Sequence, residues 1–157
     1  MAKAPVRPLV STLGTTEVVM ATQISCELRL LGHKLDHHAI TAALGVEPTR
    51  TWRLGDSIQG TRLRRDRDGW TLAGPGGDQL DVAATVGELV QTLRPLTGQI
   101  GKLRREAAVD VVISCGVYIE DAAPSMYLAN DLVEAIAALG ASLDIDLILT
   151  APRADPV

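Results

Sequence analysis

Phenylalanine is absent from the 157 residues, and the other aromatics are two Trp and two Tyr. A core must therefore be built from Leu, Val, Ile and Ala, which pack well between helices and a sheet. Only two cysteines occur, and Cys26 and Cys115 lack the Cys-x-x-Cys or Cys/His spacing of metal sites and redox motifs. They read as reduced thiols. No apolar run of signal-peptide length follows a basic start, because Pro5 and Pro8 interrupt the first stretch, and no later run approaches the length that spans a bilayer. The expectation is a cytoplasmic protein. A basic excess is missing too: the net charge of -4 and a pI near 5.3 provide no global attraction to nucleic acid or to an anionic membrane.

Hydrophobic residues make up 46% of the chain, ample for one core at this length. The patterning predicts a single domain over 17–150, with a loosely held arm over 1–16 and a Pro-containing tail over 151–157. Ile24, Cys26, Leu28 and Leu30 alternate with polar residues, the period of a strand with one buried face. Asp36 stands where a helix N-cap belongs, and Ala39, Ile40, Ala43 and Leu44 form a short apolar stripe that stops at Gly45. Thr49 to Leu54 and Trp70 to Ala73 read as two strands across which Trp52 and Trp70 are expected to face each other. The connection from Asp56 to Asp68 is longer than most hairpin loops, which predicts a functional or a mobile segment.

From Asp81, apolar positions at helical spacing run to Leu93, and Pro95 forces a break before Leu96, Ile100 and Leu103 continue the stripe. Val109 to Ile119 alternate as a strand, Asn130 to Leu139 form a last helix ending at Gly140, and Leu143 to Leu149 alternate as a closing strand. The fold expected is α+β: a ferredoxin-like sheet of about five mainly antiparallel strands with three or four helices on one face.

The segment Leu35-Asp36 through Ile40, then Leu44-Gly45-Val46-Glu47-Pro48-Thr49-Arg50-Thr51-Trp52-Arg53-Leu54-Gly55-Asp56, is similar to a bacterial domain-of-unknown-function family, number forty-two seventy-nine. The Gly69-Trp70 strand start, the helix with its Pro break and the closing Leu139-Gly140 with Leu143 to Asp146 fit as well, so the resemblance extends from Ile24 to Leu149. It implies no reaction, substrate or catalytic residue.

Two charge features stand out. The run Arg62-Leu63-Arg64-Arg65-Asp66-Arg67-Asp68, with Arg50 and Arg53 nearby, could grip phosphates through paired guanidinium hydrogen bonds. Interleaved Asp66 and Asp68 and the absence of aromatics in the loop favour a solvated hairpin tip instead. Asp144 and Asp146 lie on one face of a strand, about 7 Å apart, where Asp110 or Glu120 could complete a cation site or a carboxylate pair a hydrolytic one. The ordinary alternative is a solvent-facing strand that uses charge to stay unpaired. His33, His37 and His38 cluster at a helix start, where they read as solvated, and the two tryptophans read as packing residues.

Residues 1–105 carry 14 Lys and Arg against ten Asp and Glu, a net of +4, whereas 106–157 carry only Arg153 against nine acids, a net of -8. Such a split would speed docking to a basic protein. The function expected is a protein-binding module resembling a toxin-neutralising immunity protein, with no catalytic residue, metal or cofactor implied. Its candidate binding residues are Asp144, Asp146, Asp110, Glu120, Arg50, Trp52, Arg53, Arg64 and Arg65. The alternatives are a carboxylate-based metal-dependent enzyme and a nucleotide or nucleic-acid binder working through the Arg-rich loop. Neither membrane nor nucleic acid is an expected partner, and self-association stays open.

Overall fold

A computed structural model describes residues 23–75, 81–120 and 122–150. The arm expected over 1–16 and the tail over 151–157 lie outside them, as does Asp121. In chain order the elements are β1 (Gln23–Gly32), α1 (His37–Leu44), β2 (Arg50–Trp52), β3 (Asp68–Ala73), α2 (Val82–Leu93), a 3-10 turn (Arg94–Leu96), α3 (Thr97–Glu106), β4 (Asp110–Ile119), α4 (Asn130–Ala138) and β5 (Ala141–Leu149). The class is α+β. One five-stranded sheet has the order β2-β3-β1-β4-β5.

The sheet is mixed rather than mainly antiparallel. β2 with β3, β3 with β1 and β1 with β4 pair antiparallel, but β5 runs parallel to β4 from Val111 opposite Ala141 to Ile119 opposite Leu149. The reason is α4: a helix between two strands returns the chain to its starting end, so the second strand enters in the direction of the first.

Local chemistry sets the helix limits. The Asp36 side chain accepts from Ala39 N at 3.0 Å, and Gly45 closes α1 at φ 69°, the left-handed conformation that glycine adopts without a Cβ penalty. Asp81 caps α2 through Ala83 N at 2.8 Å. Pro95 supplies no N–H for an α-helical bond, and the chain passes through a 3-10 turn before α3 resumes.

Cys26, Leu28 and Leu30 of β1 and Val111, Ile113, Cys115, Val117 and Ile119 of β4 are buried against Val82, Val86, Leu89 and Leu93 of α2 and Ile100 of α3. Cys26 lies opposite Cys115 in register. The Cys115 thiol beside it, and after that burial, push the Cys26 thiol well above its ordinary value, and both side chains are buried in the core as small hydrophobes. The tryptophans do not face each other. Trp70 pairs with Thr51 and Trp52 with Gly69, which sends Trp70 into the core and Trp52 to the opposite sheet face, because neighbouring register positions alternate sides. In β5 the row facing the helices is half-covered at Leu143 and Ile145 but exposed at Leu147 and Leu149.

Leu28→Ala is therefore expected to cost about 2–5 kcal/mol by transfer and cavity terms. Leu149→Ala, at a side chain 79% exposed, should stay within about 0.5 kcal/mol. Urea midpoints of the two variants would check the contrast.

Candidate functional site

Helices cover one face of the sheet, and the pleat assigns the other face a grid of residues that can be read from the strand registers. One row crosses Arg50, Thr71, Arg29, Val112 and Ser142; the next crosses Ala73, Glu27, Ser114 and Asp144; the next Ser25, Gly116 and Asp146; the last Gln23, Tyr118 and Ile148. A depression of about 360 Å³ lies on this face, bordered by Arg29 and Arg50 on one side and Asp146 and Ile148 on the other.

The long connection after β2 is built rather than loose. Gly55 N donates to Arg65 O at 2.8 Å, Arg65 N to Asp56 O at 2.8 Å, and Ile58 N to Leu63 O at 3.0 Å, forming a second small hairpin. Asp56 Oδ2 accepts from Arg53 N at 2.8 Å and Gly55 takes φ 89°, which together turn the chain into it. The hairpin lays Arg65 over the Trp52 indole, with its guanidinium carbon 4.0 Å from the ring centroid, while that of Arg50 stands 5.4 Å away. Trp52 Nε1 donates to Arg67 O at 3.0 Å, and the indole lies so close over Gly69 that a Cβ there would overlap it.

This arrangement hangs on a buried carboxylate at the start of β3. Asp68 is 4% exposed and accepts from Leu54 N at 2.7 Å, Leu35 N at 2.9 Å and Arg53 Nη1 at 3.2 Å. Arg53 Nη1 also reaches Leu35 O at 2.6 Å. The hydrogen bond from Leu54 N, then those from Leu35 N and Arg53, hold the Asp68 carboxyl below the usual carboxylate range against the opposing effect of burial. Beside them, His37 Nε2 is enclosed without a hydrogen-bond partner, and burial followed by the nearby Arg53 charge lowers the pKa of that imidazole.

Of the residues singled out from sequence, Arg50, Trp52 and Arg65 come together on the open face, whereas Arg53 turns away from it to hold Asp68. Arg64 donates to Gly55 O at 2.9 Å within its own hairpin. The Arg-rich run is thus divided among separate tasks and forms no single patch. Asp110 is paired with Arg67 at 2.7 Å and stands four residues from Ser114, the register partner of Asp144, or about 13 Å along the strand. Glu120 is exposed beyond the other end of β4. The four carboxylates therefore do not converge, and among the described residues no group of three or more His, Cys, Asp and Glu could hold a metal ion. Asp144 and Asp146 emerge into solvent.

Sequence reasoning missed Arg29 and Glu27. Glu27 Oε1 accepts from Arg29 Nε at 2.6 Å and from Arg50 Nη2 at 3.2 Å, tying β1 to β2 across β3. Alternation alone places both residues on the polar side of β1; only the register brings Arg29 into line with Arg50. No helix among the described residues is long and apolar enough to cross a membrane.

The family model that matches residues 22–150 describes a domain of unknown function, DUF4279. No curated protein and no solved structure matches the chain.

Asp68→Ala should destabilise the fold by about 3–5 kcal/mol, because two backbone donors and a guanidinium lose their buried acceptor. The depressed pKa values also fix the direction of the pH effect. His37 favours the neutral form in the fold, so its contribution is lost as pH falls below the unfolded value, about 6.5; that of Asp68 is intact above about 3.9 and is lost on further acidification. Denaturant midpoints measured from pH 8 to pH 3 should fall in the wild type, with the loss below pH 4 reduced in Asp68→Asn.

Proposed function

We propose that this chain, which belongs to the DUF4279 family, is a protein-binding module that docks a partner on the edge strand β5. One observation carries this reading: β5 is a nine-residue strand at the end of the sheet order, with Leu147 and Leu149 exposed on the helix side and Ile148 on the open face. An edge of that length, unpaired among the described residues, offers a row of backbone donors and acceptors to an incoming strand, and the apolar side chains beside it add the area that holds one.

Charge supports a basic partner. Asp144 and Asp146 lie along the edge on the open face with no ion pair among the described residues, and α4, packed on β5, exposes Asp131 and Glu134. An antiparallel pair of two β5 strands centred on Ile145 would set Asp144 of one copy against Asp146 of the other, which like-charge repulsion disfavours. A strand flanked by Lys or Arg meets no such penalty. Recognition of this kind is that of an immunity protein neutralising a basic toxin, in which complementary charge accelerates encounter and apolar contacts set the lifetime.

The test is capture of the partner from lysate of the producing cells at low salt, followed by hydrogen exchange on the purified complex. Slowed exchange over Ala141–Leu149, and association that falls with salt and with the double variant Asp144→Asn/Asp146→Asn, are the expected results. Protection confined to other elements, or an association rate indifferent to both changes, would overturn the reading.

A further inference from the structure

The arginine side of the open face has its own chemistry, distinct from the β5 edge. Arg29, Arg50 and Arg65 gather there with one carboxylate, Glu27, between them. A single oxygen of Glu27 serves both Arg29 and Arg50, and Arg65 has no ion-pair partner among the described residues, only the Trp52 ring. The cluster thus holds two positive charges in excess. Burial, and after it the charges of Arg50 and Arg29, lower the pKa of Arg65, in keeping with guanidiniums held within range of one another.

The donor inventory points the same way. A guanidinium offers five N–H donors. Arg29 donates one of them, Nε, to Glu27, and Arg50 reaches Glu27 through Nη2. Most of the remaining donors have no acceptor among the described residues. The adjoining depression is lined by the hydroxyls of Ser25, Ser114 and Tyr118, for which no hydrogen-bond partner occurs among the described residues. Its floor is kept low by Gly116, where a Cβ would sit 3.3 Å from Ser25 Oγ and 3.7 Å from the Tyr118 ring. Glycine inside a strand weakens pairing and marks close approach by another group. Excess positive charge, unengaged donors and an opened floor together call for a ligand rich in acceptors and negative charge.

We infer that the open sheet face carries an oxyanion site in which Arg29, Arg50 and Arg65 hold the phosphate group of a small phosphate monoester beside the Trp52 indole. Three guanidiniums approaching from β1, β2 and the hairpin suit a tetrahedral group with several oxygens better than a planar carboxylate, which one arginine satisfies by itself. Asp146, on the far wall, repels an anion and confines it to the arginine side. Glu27 competes with the ligand as the resident counter-ion.

The site is tested on the full chain without any partner, so the result is independent of whether β5 docks a protein. Inorganic phosphate, a mononucleotide, phosphoserine and acetate are titrated by calorimetry and by the shifts of arginine Nε–H signals. Phosphate and the monoesters should bind and acetate bind at least about tenfold more weakly; Arg65→Ala should reduce phosphate affinity by about tenfold or more, with the thermal midpoint checked in parallel. Arg62→Ala removes the same charge from an exposed position with no contact to the cluster and should change affinity little. Glu27→Gln should tighten binding, a gain that a purely structural Glu27 would not produce. Absence of phosphate binding, equal losses in Arg62→Ala and Arg65→Ala, or weakened binding in a folded Glu27→Gln would each overturn the inference. Equal binding of acetate and phosphate would replace the phosphate assignment with a carboxylate one.

Discussion

The buried carboxylate of Asp68 joins three separate stretches of chain. It takes Leu35 N from the turn after β1, Leu54 N and Arg53 from the turn after β2, and it begins β3 itself. Lys34, just before Leu35, sits at φ 54°, a conformation costly for a residue with a side chain. The Asp68 and Arg53 bonds on either side of the Leu35 peptide hold that turn in place. Removing the carboxylate would release the β1 to α1 turn and the base of the hairpin together, and with the hairpin the Arg65 that covers Trp52.

This gives a physical meaning to the stretch Thr49 to Asp56 on which the family resemblance rests. Thr49 Oγ1 accepts from Ala73 N, Trp52 packs closely against Gly69, Arg53 holds Asp68, Gly55 supplies the left-handed turn and Asp56 caps it. Each of these residues shapes the connection; Arg50 alone among the charged ones before the turn stays on the open face. A motif specific enough to mark a family can therefore be largely architectural, with Arg50 the one charged residue of the stretch left on the open face.

The sheet and its helices were legible because periodicity is a local property. Alternation in β1 and β4 identified the buried rows, and Asp36, Gly45, Asp81 and Pro95 marked where helices start, stop or change pitch. What failed depended on partners distant in sequence. The parallel entry of β5 follows from where α4 delivers the chain, and the assignment of the two tryptophans to opposite faces from a one-residue register. The Arg-rich run looked like one patch because sequence distance was short, yet Arg64 binds its own hairpin, Arg67 crosses to Asp110 and only Arg65 turns to the face. Arg29 was invisible for the converse reason: it lies 21 residues before Arg50 and meets it only through Glu27 and the sheet.

The hairpin ladder makes the polarity of that face a matter of counting. Measured back from the anchored Asp68, it is the third residue, Arg65, that meets the indole. One extra residue between those two points would bring Asp66 into its place, since a ladder with a two-residue period exchanges sides on a single slip. Loop length, and not only composition, then sets the charge of the surface: with Asp66 in place of Arg65 the two positive charges in excess would be cancelled, while every arginine stays in the sequence.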